Sequence, residues 1–129
     1  MNAIARYAQH RNETASKERL MMLLFEAALQ HIRAGAAAFD AGCGAEGSAR
    51  LSKATDIVLY LDATFDPRAA PKLAEPLGAV YRFVSGRCVA AGAKRDARLA
   101  REAEKVFAPV VEAFDGAVRE VLAQRGEAR

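Results

Sequence analysis

The sequence predicts an all-α fold, an antiparallel up-down-up-down four-helix bundle with a short N-terminal cap segment, and three observations carry that expectation. Four stretches repeat their apolar residues every three or four positions, the period of a helix. The connections between them hold glycine, proline and capping residues and are only a few residues long, and such short loops make sequential helices antiparallel neighbours. Alanine supplies roughly a quarter of the 129 residues, while aromatics make up 7% and Trp is absent, and so high an alanine content favours closely packed helices.

Each element has its own signals. Residues 1–13 form a polar N-terminal segment in which Ile4 and Tyr7 are spaced to share one helical face, able to dock as a cap or to stay mobile. Thr14-Ala15-Ser16 offers capping hydroxyls, and Glu18 suits the first turn of a helix over about 16–41. Along it Met21, Phe25, Ala28, Ile32, Ala36 and Phe39 share a face, widened by Leu20, Leu24, Ala27 and His31. The glycine-rich run from Ala41 to Gly47 ends it, since glycine readily takes the left-handed conformation of a C-cap.

Ser48 reads as the cap of a second helix over about 48–65, with a heptad seam of Leu51, Ala54, Val58, Leu61 and Phe65 and Ile57 beside it. Asp66-Pro67 stops it, because proline disfavours a helical conformation in the residue before it. A third helix over about 72–91 carries Leu73, Leu77, Val80, Val84, Cys88 and Ala91, with Pro76 near its start and Gly92 at its end. The fourth, over about 96–124, carries Leu99, Ala103, Val106, Val110, Ala113 or Phe114, Ala117 and Val121. Pro109 inside it removes the bond to the Lys105 carbonyl and is expected to kink the helix. The length fits one helical-bundle domain spanning 1–129.

Several function classes find little support. The net charge is only +3, from 19 basic and 16 acidic residues, a weak basis for phosphate neutralisation. Lys94, Arg98, Arg101 and Lys105 do share a helical face, and a regulatory or nucleic-acid-binding protein using Lys94–Lys105 is the alternative function. Asp96, Glu102 and Glu104 interleave with that face, as in a solvated surface of ion pairs. Gly42, Gly44 and Gly47 match G-x-G-x-x-G, but a dinucleotide fingerprint needs a preceding strand and a helical stretch stands there. Glu26 and His31 are five apart and cannot form the Glu-x-x-His pair of a di-iron bundle, and His31 reads as a hydrogen-bonded histidine at the edge of the core.

Cys43 and Cys88 lack zinc-site spacing and read as reduced thiols. No catalytic, cofactor-binding or metal-ligating constellation stands out, so no enzyme activity and no cofactor are expected. The N-terminus has no signal-peptide core, and the apolar run Leu20–Phe25 is far too short to span a bilayer. A cytoplasmic location is expected.

What remains is apolar surface. Tyr60 and Phe83 fall off or beside the main seams, and Tyr81 is one step from Val80. One reading places these aromatics at the margins of the core with the tyrosine hydroxyls in water. Another makes them the rim of an alanine-floored groove that accepts another chain's amphipathic helix.

Read from end to end, the order of motifs resembles the flagellin export chaperones, the FliS family. A lone Tyr7 precedes Thr14-Ala15-Ser16; Leu20 to Phe25 leads into Glu26-Ala27-Ala28; Lys53-Ala54 is followed by Asp56-Ile57-Val58 and Leu61-Asp62. Leu73-Ala74-Glu75-Pro76-Leu77 and Val80-Tyr81-Arg82-Phe83 then look like the family's Leu-x-x-Leu-Tyr-x-(Tyr/Phe). Departures are Lys17 in place of a proline, Cys88 in place of a leucine, Phe114 where Trp is frequent, Pro109, and the basic balance.

The resemblance implies a chaperone that binds the disordered C-terminal segment of flagellin, prevents its premature polymerisation and supports delivery to the flagellar type III export apparatus. It implies flagellin as partner, with the export gate or other flagellar regulators as further ones, and neither nucleic acid nor membrane insertion. Tyr7 and Tyr81 coincide with family motif positions, while Ile4, Ile57, Tyr60, Phe65 and Phe83 join them as partner-binding candidates from their spacing. Ile4 and Tyr7 are expected to cover part of the client groove in the free protein.

Overall fold

The computed structural model describes residues 14–68, 71–124 and 126. Four helices form the fold: α1, Thr14–Asp40; α2, Gly44–Thr64; α3, Pro71–Lys94; and α4, Ala97–Gln124. No strand occurs among the described residues. The helices pack in a closed ring, α1 against α2 and α4, and α3 against α2 and α4.

The direction of each neighbour follows from its cross-contacts. Phe39 lies over Gly47 while Gly35 meets Leu51, so numbers rise on α2 as they fall on α1. Asp40 pairs with Arg101, Arg33 with Glu104, and Phe25 with Phe114, which makes α1 and α4 antiparallel. Ser48 bonds the Gly92 carbonyl at one end of the α2–α3 interface, and Phe65 and Leu77 line one cleft at the other. The all-α four-helix bundle expected from periodicity and short loops is therefore the fold.

The core is the set of stripes brought together. Phe25, Ala28, Ile32 and Ala36 of α1 meet Leu51, Ala54, Val58 and Leu61 of α2, Val84, Cys88 and Ala91 of α3, and Ala100, Ala103 and Phe107 of α4. Glycine permits close approach: a Cβ on Gly35 would clash with Leu51 Cδ2, and one on Gly47 with the Phe39 ring. Phe25 is the aromatic hub, with ring centroids 5.8 Å from Phe107, 4.5 Å from Phe114 and 6.5 Å from Tyr81. Each such pair adds about 0.5–1.5 kcal/mol beyond its buried area.

Some expectations are corrected. The face of α4 is rotated by one residue: Ala100, Phe107, Val111, Val118 and Leu122 are buried alongside Ala103, whereas Leu99, Val106 and Val110 are half-buried and Ala113 and Ala117 exposed. Two adjacent apolar rows run along this helix, and burying the large Phe107 side chain settles which one faces inward. Tyr81 belongs to the core at 2% exposure instead of standing at its margin.

Helix α2 starts at Gly44, ahead of Ser48, with Cys43 as an N-cap that makes no side-chain bond. Ser48 is no cap, because its hydroxyl donates across the interface to the Gly92 carbonyl at 2.7 Å. Gly92 does not end α3, which continues to Lys94. There Arg95 takes the left-handed conformation at φ 51° and the Asp96 N–H returns to the Ala91 carbonyl at 3.1 Å, a Schellman closure without glycine. The same closure ends α1 at Gly42, φ 80°, with the Cys43 N–H on the Ala38 carbonyl at 2.8 Å. Asp96 then caps α4 by accepting from the Arg98 N–H at 2.9 Å. Helix α4 runs on either side of Pro109 without interruption.

Candidate functional site

An apolar cleft of about 510 Å³ lies at the end of the bundle where α2 hands over to α3. Met21 and Phe25 of α1 form one wall, and Phe65, just past the end of α2, closes an edge. Pro76, Leu77, Val80 and Tyr81 form the wall contributed by α3, and Val110, Ala113, Phe114 and Ala117 that contributed by α4. Its surface is almost wholly hydrocarbon.

The cleft exists because the stripes stop closing on each other here. Ala113 and Ala117 are too short to reach across, and Pro76 and Val80 leave the facing side shallow. Phe25, stacked on Phe107 and tilted against Phe114, supplies an aromatic floor. Tyr81 edges the cleft, and its burial, with the Asp62 carboxylate nearby, pushes its phenol up to about 12, so it stays a neutral hydroxyl.

The aromatic and aliphatic candidates divide between the cleft and other faces. Phe65 and Tyr81 line it. Ile57 and Tyr60 are half-buried on α2 against the core. Phe83 is 38% exposed on α3, with the Arg87 guanidinium 4.8 Å from its ring centroid. Ile4 and Tyr7 lie outside the described residues. Met21, Phe25, Leu77, Val80, Val110 and Phe114 were placed by sequence on core stripes, and nothing in a stripe tells whether the facing helix closes over it.

Elsewhere several chemistry-bearing residues are held in structural contacts. On the basic face, Arg101 pairs with Asp40 at 2.6 Å and Arg98 with Asp96 at 3.3 Å. Bonding to Arg98 holds the Asp96 carboxyl below its usual range. His31 Nδ1 lies 3.3 Å from Arg50 Nη1 at the edge of the core, where burial and then the Arg50 and Lys53 charges lower its pKa; accepting from the guanidinium fits a neutral ring. Cys88 is buried and its thiol is pushed up to about 12, whereas Cys43 is exposed. Of the three motif glycines, Gly42 makes the helix turn, Gly44 lies under the Arg95 side chain, and Gly47 admits Phe39. A smaller groove of about 270 Å³ runs between α2 and α3 past Ser52, Thr55, Asp56 and Val89.

Among the described residues no helix is long and apolar enough to cross a membrane, and no group of three or more His, Cys, Asp or Glu is placed to hold a metal ion. The model of one protein family, described as flagellar protein FliS, matches residues 1–121, nearly the full chain. The chain belongs to the FliS family. No curated protein matches it. FliS membership supports a flagellar export chaperone role, in a family of chaperones rather than enzymes, with flagellin as the general partner. An uncharged apolar cleft on a helical bundle suits that role, since capture of a client helix needs shape and hydrocarbon surface.

Proposed function

We propose that this protein binds the C-terminal segment of flagellin in the apolar cleft, keeps it from polymerising in the cytoplasm and supports its delivery to the flagellar type III export apparatus. The observation that carries the reading is the cleft itself, about 510 Å³ of hydrocarbon-walled space in a chain of the FliS family. Space of that size takes several large apolar side chains of one face of an amphipathic helix. Flagellin's terminal segments acquire packed helical structure only in the filament, so their apolar faces are a polymerisation hazard beforehand. The cleft substitutes its own surface for that of neighbouring subunits. Binding orders the client and so costs entropy, which a long wrap over many shallow contacts offsets.

In this reading Phe65 and Tyr81 contact the client inside the cleft, while Ile57, Tyr60 and Phe83 extend the contact over the flanking faces. Ile4 and Tyr7 cover part of the groove in the free protein and give way to the client. Release at the export gate is a competition between surfaces, and no catalytic step or cofactor enters. The test is to mix the purified protein with flagellin's C-terminal segment at micromolar concentration. Co-elution on gel filtration and a longer lag in flagellin polymerisation are expected; separate elution with an unchanged lag overturns the reading.

A further inference from the structure

His31 and Arg50 meet across the seam between α1 and α2, His31 Nδ1 lying 3.3 Å from Arg50 Nη1. Lys53, one helical turn beyond Arg50, bears on the same ring, and its charge and that of Arg50 add to burial in lowering the His31 pKa. Two cations and an ionisable imidazole thus share one patch. Lys53 is exposed and His31 and Arg50 are half-buried, so the patch is open to solvent. Its spacing is fixed from behind, because Gly35, one turn on from His31, packs on Leu51, the residue after Arg50.

The acids around this patch are directed elsewhere. Arg33, Arg87, Arg98, Arg101 and Arg119 each hold a carboxylate within 3.3 Å, whereas Arg50 and Lys53 form no ion pair among the described residues. On α2, Asp56 lines the groove toward α3, Asp62 bears on Tyr81, and Glu46 is exposed. On the α1–α4 side, Asp40 is taken by Arg101 and Glu104 by Arg33. Glu26 of α1 is five residues from His31, on another face. The charges that act on the ring are both positive. An anion bound here would relieve their mutual repulsion, and four of the five guanidinium N–H groups remain after one is given to His31.

The geometry points to an oxyanion site at the α1–α2 seam, in which Arg50, Lys53 and a protonated His31 hold a phosphate group or another tetrahedral dianion of its size. Binding takes up one proton from solvent. The anion's charge favours the imidazolium, whose two nitrogens both donate, and the Arg50 N–H released from Nδ1 turns to the anion. Affinity for an anion that does not itself titrate therefore rises as the pH falls through the region near 6.5 and declines above it. The patch includes no residue of the cleft, so the site stands or falls independently of the client reading.

The test is a proton NMR titration of the His31 ring in the full chain from pH 8 to 5, with His31→Gln to tell its signal from that of His10. In about 20 mM sulfate, His31 is expected to titrate about one unit higher than in chloride of equal ionic strength, the chloride arm removing simple screening. That shift corresponds to sulfate binding up to about tenfold more tightly to the protonated form. Lys53→Gln and Arg50→Gln should each cut the shift to about half or less, while Lys105→Gln, an exposed cation of α4, leaves it as in the parent. At pH 6.5, inorganic phosphate and O-phosphoserine are then compared. Movement of the His31 signal with both extends the site to phosphate borne on a protein side chain, and movement with inorganic phosphate alone limits it to the free ion. The same His31 titration in sulfate and chloride, or a shift of full size in Lys53→Gln, overturns the proposal.

Discussion

Gly35 governs how near α1 comes to α2. A methyl group there would meet both Leu51 Cδ2 and, at 3.2 Å, the Gly47 carbonyl, and Leu51 is fully buried with no free direction in which to retreat. Gly35→Ala is therefore expected to destabilise the fold by about 1–3 kcal/mol despite alanine's better helix propensity. A denaturant titration measures this, and adding Leu51→Val should restore part of the loss. The sequence places Gly35 among alanines and gives no hint of the contact, because overpacking depends on what the neighbouring helix presents.

His31 makes a pH-dependent contribution of predictable sign. Its folded pKa lies below the usual 6.5, so at mildly acidic pH the unfolded chain holds more protons than the folded one. Stability therefore rises with pH through the region just below 6.5 and is lost as the pH falls there. Melting temperatures measured from pH 7.5 down to about 5.5 should show this decline, and His31→Gln, which keeps an acceptor for Arg50, should flatten it. The sequence itself puts His31 at the edge of the core, on a mostly apolar stripe. The burial that chiefly lowers its pKa, and the Arg50 and Lys53 charges of α2 that add to it, depend on how the helices pack.

Helix ends show where reading from sequence stops. The Gly42 closure of α1 follows from glycine's freedom at positive φ. The matching closure of α3 falls on Arg95 instead, while Gly92, the obvious stop, is helical and packs beside Leu51 and Ser48. A Cβ at Gly92 would sit at ordinary contact distance, 3.7 Å from Leu51 Cβ, so neither a turn nor packing demands glycine there, and composition does not separate such a position from a helix end. Since a side chain at φ 51° is strained, Arg95→Gly should stabilise the protein by about 1 kcal/mol, read as a higher melting temperature. The face of α4 was misread for a related reason. Two apolar rows lie side by side on it, and Phe107 decides between them only when it enters the core beside Phe25.

The bundle as a unit was readable because four periodic stripes and short loops leave few alternatives. The cleft was not, because it arises where the stripes are present but the side chains fall short. Ala113 and Ala117 appear in the sequence as ordinary core positions, yet they are exposed and line the space. The alanine content that first indicated close helix packing thus has two consequences. At the loop-linked end, Ala36, Ala91, Ala100 and Ala103 fill the core. At the other end, short side chains leave hydrocarbon that the other described residues do not cover.

If the cleft is where the client sits, one charge placed inside it should abolish capture while sparing the fold. Ala113→Glu adds a carboxylate at an exposed position of the cleft wall without removing any buried atom. Val89→Glu adds the same charge outside the cleft, in the smaller groove between α2 and α3, at a residue 59% exposed. Calorimetric titration with flagellin's C-terminal segment should then show Ala113→Glu at least about tenfold weaker than the parent and Val89→Glu within about twofold, with equal melting temperatures, since an unpaired charge is costly to bury against hydrocarbon. Equal affinity of all three proteins for the segment would contradict the cleft as the client site.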